Sequence, residues 1–105
     1  MAAPYNPPIK NQDFLIRISL VDMANPGSLK SNPTIAAGDF KVDLDGAGLN
    51  NLGTPPSVSP AASVLVLLTL SAAEMNADVV TVVGIDQTSP KEWADFVMSI
   101  PTASA

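Results

Sequence analysis

Residues 63–85 read SVLVLLTLSAAEMNADVVTVVGI, and the fold turns on how this stretch divides. Two apolar runs, 64–70 and 79–85, flank a short segment of small and polar residues, 71–78. Each run is too short for a buried helix and is rich in β-branched residues, so both predict strands. Between them Ser71-Ala72-Ala73-Glu74 has the capping-box pattern, in which the Ser hydroxyl and the Glu carboxylate satisfy free amides at a helix start. One helical turn is expected to carry the chain from strand to strand. Neither run alternates cleanly. Val64, Leu65, Val66, Leu67 and Leu68 put apolar groups on both faces, as do Val79, Val80, Val82 and Val83. A strand that is apolar on both faces is covered on both faces, and each large aliphatic side chain left in water forgoes about 1.5–3 kcal/mol. A chain of 105 residues has few layers to supply a second cover, which points to another protein as that cover.

Outward from this pair, residues 13–21 form the first expected strand. Phe14, Ile16, Ile18 and Leu20 share one face, and Leu15, Arg17, Ser19 and Val21 the other. Asn25-Pro26-Gly27-Ser28 supplies turn chemistry, and residues 34–36 are a further short strand. Residues 39–44 alternate, with Phe40, Val42 and Leu44 inward and Asp39, Lys41 and Asp43 outward. Asp45-Gly46 is a hairpin-turn dipeptide, and residues 49–52 are the returning strand. The segment 54–62, TPPSVSPAA, is expected to cross from one sheet to the other. Residues 92–100 form the last strand, with Ala94, Phe96, Met98 and Ile100 on one face and Trp93, Asp95, Val97 and Ser99 on the other. About seven short strands with turns between them predict an all-β fold, an immunoglobulin-like two-sheet β-sandwich with one short helical turn. The Cys–Trp–Cys hallmark of antibody domains is missing. Trp93 is expected in the core or at a sheet edge, with its ring N–H in need of a partner if buried. Residues 1–12, with Pro4, Pro7 and Pro8, form an extended N-terminal arm of polyproline character, residues 13–102 the sandwich, and residues 103–105 a frayed tail.

Composition narrows the function. Five basic residues oppose ten acidic ones, for a net charge of −5. Lys10, Arg17, Lys30, Lys41 and Lys91 are scattered, whereas binding a phosphate backbone needs them clustered, so nucleic acid is not an expected partner. The chain has no Cys and no His, which removes thiolate chemistry and the commonest general base and metal ligand. MAAPYNPPIK lacks the basic-then-apolar layout of a signal peptide, and no apolar run is long enough to span a bilayer. The expectation is a soluble product made inside a cell or part of a particle assembled there, with no membrane partner.

Chemistry-bearing clusters are sparse. Asp39, Asp43 and Asp45 have the same parity, and a straight strand would set them on one face, as a calcium site requires. Their spacing does not match an EF-hand loop, and a solvated strand face and turn is the preferred reading. Ser63 and Ser71 have no His, Gly46-Ala47-Gly48 lacks the third Gly and the Lys of a phosphate loop, and Glu74 and Met75 are explained by capping and packing. No catalytic residue, metal ligand or cofactor site is expected, and the chain is read as a non-enzyme.

The order Thr34-Ile35-Ala36-Ala37-Gly38-Asp39-Phe40-Lys41-Val42, then Asp45-Gly46, then Leu68-Thr69-Leu70-Ser71-Ala72-Ala73-Glu74-Met75, then residues 82–86 and Glu92-Trp93-Ala94-Asp95, resembles small structural proteins of tailed bacteriophages. These are similar to the immunoglobulin-like modules of baseplate and fibre proteins and of capsid decoration proteins. The resemblance runs from about residue 13 to residue 102 and rests on turn and strand-end signatures. Asp43-Leu44-Asp45-Gly46-Ala47-Gly48 departs from the Asp-Gly-Gly of such modules, which implies a hairpin of different length. The resemblance implies a virion structural protein assembled in the host cytoplasm. Within that class a capsid decoration or cement protein is favoured, because the chain is one compact domain without fibre or coiled-coil extension. Its expected partners are other virion proteins, shell or tail and baseplate subunits, in a homo-oligomer or symmetric array. Pro4, Tyr5, Pro7 and Pro8 of the arm and Leu65, Leu67, Val80 and Val82 of the organising strands are the expected partner contacts. The alternatives are a tail or baseplate adaptor that anchors a fibre, and a carbohydrate-binding module for host attachment, which would present several exposed aromatics where this chain has five in all, at least two of them in expected core positions.

Overall fold

Period-two alternation builds the strands. In β1 (Phe14–Ile18), Phe14, Ile16 and Ile18 turn inward and Leu15 and Arg17 outward. A computed structural model of the chain describes residues 7–104. It continues through β2 (Phe40–Leu44), β3 (Leu49–Asn51), β4 (Ser57–Val58), β5 (Val66–Leu70), β6 (Val79–Gly84) and β7 (Phe96–Pro101). β1, β5 and β4 form one antiparallel sheet, and β3, β2, β6 and β7 form the other, each in that order. The fold is therefore an all-β two-sheet sandwich. In the letter names of the immunoglobulin fold this order is B-E-D against C′-C-F-G. Among the described residues, no first strand A lies beside β1.

The core is aliphatic with one aromatic cluster. Ile18, Val66, Leu68 and Leu70 of the first sheet face Val42, Val80, Val82 and Ile100 of the second, all buried. Phe40 stacks on Trp93 with ring centroids 5.4 Å apart and meets Phe96 at 6.2 Å. Trp93 is fully buried, and its ring N–H donates to the Thr34 carbonyl at 3.1 Å. The buried indole thus has the partner it needs.

Turn chemistry places the connections. Asp45 and Gly46 have φ of 54° and 82°, the paired positive values of a type I′ turn, closed by Ala47 N–H on the Leu44 carbonyl at 3.1 Å. At the organising stretch, Ser71 N–H donates to Glu74 Oε1 at 2.9 Å and Glu74 N–H donates to Ser71 Oγ at 3.3 Å. Met75 N–H bonds the Ser71 carbonyl at 3.0 Å, so the capping box closes one turn without growing into a helix. That turn carries the chain from β5 in one sheet to β6 in the other.

Several expectations change. Residues 34–36 form no strand, because Asp39 folds the segment into a turn through Ala36. The crossing segment 54–62 does change sheets, but it holds β4, too short to show a pattern. The last strand starts at Phe96, not residue 92, because Trp93 bridges Asp22 and the chain bends before β7. Trp93 is therefore buried while Asp95, Val97 and Ser99 are exposed, against their expected shared face. The described ends of the arm and the tail are tied to each other: Lys10 N–H bonds the Ala103 carbonyl at 2.9 Å, and Ala103 N–H bonds that of Pro8 at 2.8 Å.

Candidate functional site

The outer face of the β1-β5-β4 sheet carries Leu15 and Arg17 from β1, Leu67 and Thr69 from β5, and Ser57 from β4. Leu65, one residue before β5, shares this face by alternation. Leu15 stands opposite Thr69, and Arg17 opposite Leu67. Leu15 is 57% and Leu65 37% exposed, while Leu67 is half-buried. The half-burial has a local cause. Arg17 Nε donates to the Ser59 carbonyl, beyond β4, at 3.1 Å, so its side chain crosses the face over β5. Its aliphatic stem is an apolar cover with a charged head kept in water. Part of the second cover that residues 64–68 call for is thus supplied by this chain, and Leu15 and Leu65 are left uncovered.

Of the expected partner contacts, the structure places Leu65 and Leu67 on this face. Val80 and Val82 are corrected: both are fully buried on the inward face of β6, where they oppose Ile100 and Met98. With both faces of β6 apolar, sequence parity could not say which valines point in; the outward ones are Val79 and Val83. Pro7 and Pro8 are half-buried on their own domain, and Pro8 is held by Ala103. Pro4 and Tyr5 lie outside the described residues.

Below Leu15, the arm and β1 enclose a cleft of about 320 Å³ lined by Pro7, Ile9, Gln12, Asp13, Phe14 and Leu15. Its one carboxylate, Asp13, accepts the Ala72 N–H at 2.8 Å. The cleft lies at the foot of the same outer face, and its lining is as polar as it is apolar.

Most of the ten side-chain carboxylates are tied to the backbone. Eight accept backbone N–H groups: Asp13, Asp22, Asp39, Asp43, Asp45, Glu74, Asp86 and Glu92. Asp78 and Asp95 pair with Lys10 and Lys91. The trio expected on one solvated face is split. Asp39 is buried and ties the Ala36 and Gln87 amides, and Asp43 holds Gly46 and Gly48. Asp45, in the turn, takes the Val79 and Asp78 amides, and these bonds hold its carboxyl below the usual range. Burial pushes the Asp86 carboxyl up, but the Thr88 hydroxyl and the amides of Thr88, Glu92 and Trp93 outweigh it and lower the group overall. Among the described residues, no group of three His, Cys, Asp or Glu side chains is placed to hold a metal ion, and no helix is long and apolar enough to cross a membrane.

Compared with protein-family models, curated proteins and solved structures, the chain shows no significant match. What fold and surface define together is a seven-stranded antiparallel sandwich with an outer sheet face on which exposed leucines stand among Arg17, Thr69 and Ser57.

Proposed function

We propose that this chain is a non-enzymatic structural component of a virion, most simply a capsid decoration or cement protein, and that it holds a neighbouring subunit on the outer face of the β1-β5-β4 sheet. The observation that carries this reading is the pair of large aliphatic side chains, Leu15 on β1 and Leu65 just before β5, exposed on the outer side of the sheet. Docking a subunit there recovers the hydrophobic contribution that water contact forgoes. Repetition on a symmetric shell adds avidity to each modest contact. The carboxylates favour the same reading from another side, since groups committed to backbone amides are occupied as scaffold. Assignment to a virion rests on the resemblance described above.

The test is the copy number in purified particles, by quantitative mass spectrometry. Many copies in fixed ratio to the shell subunit agree with decoration. A few per particle would place the protein at the neck, tail or baseplate, and absence from particles would reject the virion role.

A further inference from the structure

Asp45-Gly46 is the chain's one Asp-Gly pair, and the sequence holds no Asn-Gly. Chemistry singles this dipeptide out. Glycine has no side chain to crowd its own amide nitrogen, which leaves that nitrogen open to attack the carboxyl carbon of a preceding Asp. In that step a bond forms from Gly46 N to Asp45 Cγ and the bond from Cγ to one carboxyl oxygen breaks. Water leaves, made of that oxygen, the carboxyl proton and the amide proton. A second water then opens the succinimide ring at either carbonyl. One opening restores Asp45, and the other gives isoaspartate, with the main chain lengthened by one carbon. The turn is exposed from Asp45 to Gly48, so burial does not protect it.

Hydrogen bonds engage both reacting groups instead. Gly46 N–H donates to Asp43 Oδ2 at 2.8 Å, and Gly48 N–H to Oδ1 of the same carboxylate at 2.8 Å. Taking the proton from Gly46 would set an amide anion against the Asp43 charge, and a like charge disfavours the charged form. The carboxyl of Asp45 is held from another element. Its Oδ1 accepts the Val79 N–H at 2.9 Å and its Oδ2 the Asp78 N–H at 3.2 Å, so both oxygens are fixed at the start of β6. These bonds also favour the ionised carboxylate, whereas water leaves only from the neutral acid.

We propose that Asp45-Gly46 is a latent site of backbone isomerisation, and that Asp43 and the amides of Asp78 and Val79 keep it unreactive in the folded chain. Asp43 acts on the attacking nitrogen and the β6 amides on the attacked carboxyl, so the two halves of the reaction are blocked separately. The product undoes its own restraints. The extra main-chain carbon no longer suits the tight turn between β2 and β3, and the carboxyl that held Val79 and Asp78 has become the peptide link. The hairpin lies in the sheet opposite the outer face invoked above, so either reading can fail without the other.

Peptide mapping of the full chain, aged at neutral pH in heavy-oxygen water, tests the proposal. Each passage through the succinimide leaves a heavy oxygen at residue 45, and chromatography separates isoaspartyl from aspartyl peptide. Wild-type chain is aged folded and, beside it, unfolded in guanidinium chloride. Label is expected at Asp45 before any other Asp, and about tenfold or more slowly in the folded chain, because closure must first break the turn's hydrogen bonds. Asp43→Ala is expected to remove most of that protection in a chain that stays folded, and Asp43→Asn, which keeps one acceptor oxygen, to fall between. Gly84→Ala is the control. It strains the core far from the turn, and its labelling should stay near the wild-type rate. If Asp43→Ala does not fold, Asp43→Asn carries the comparison. Equal rates in folded and unfolded wild type, label arriving first at another Asp, or an Asp43 variant no faster than Gly84→Ala would overturn the proposal.

Discussion

Phe40 and Gly84 are cross-strand partners on β2 and β6, and the Phe40 ring lies where a side chain at position 84 would stand. A Cβ on Gly84 would sit 2.7 Å from Phe40 Cε2 and 2.8 Å from Cζ. The bare backbone lets the ring lie across β6 and reach both Trp93 and Phe96. Gly84→Ala must push the ring off this stack. The expected loss is about 1–3 kcal/mol, the usual cost of overpacking a dense core, read as a lower denaturation midpoint with an unchanged slope.

Asp86 contributes, with Asp45, to an acid limit of the fold. Its folded carboxyl titrates below the ordinary value, so its contribution is complete above the unfolded pKa and is lost as pH falls through the folded one. Stability is expected to hold at neutral pH and to drop once pH passes below about 4. Asp86→Asn, which removes the charge, should be less stable at neutral pH and should flatten the acid limb. Chemical denaturation of both proteins across pH measures this. Equal acid limbs would show that Asp86 does not contribute to the acid limit.

Glu74 joins two connections. Oε1 accepts the Ser71 N–H and Oε2 accepts the Gly53 N–H, each at 2.9 Å, so one carboxylate ties the β5–β6 turn to the chain after β3. Glu74→Ala is expected to cost about 1–2 kcal/mol, near the upper range for a lost cap, and Glu74→Gln roughly half of that because one acceptor oxygen remains. Faster exchange at the Gly53 amide in both variants would identify the tie rather than general loosening.

Much of the sandwich was legible in the sequence because its signals are local. The β-branched runs of β5 and β6, the alternation in β2, the Asp45-Gly46 turn and the Ser71–Glu74 box each carry their own physical reason within a few residues. What stayed hidden depends on distant partners. The two residues of β4 have no period of their own. The burial of Asp39 depends on the Gln87 amide, far along the chain. The bonds between Pro8, Lys10 and Ala103 are backbone to backbone and leave no mark on side-chain choice. The outer face was half visible: doubled apolarity led to the expectation of a second cover over β5. It could not show that Arg17 supplies part of it by reaching Ser59.

The most direct measurement of the central claim is incorporation of Leu15→Gln and Leu65→Gln, singly and together, into particles made in cells. Both side chains are exposed, so each variant should keep its stability within about 0.5 kcal/mol. The account predicts folded protein that is depleted from particles, most strongly in the double variant. Folded double variant present at the wild-type ratio to the shell subunit would contradict it.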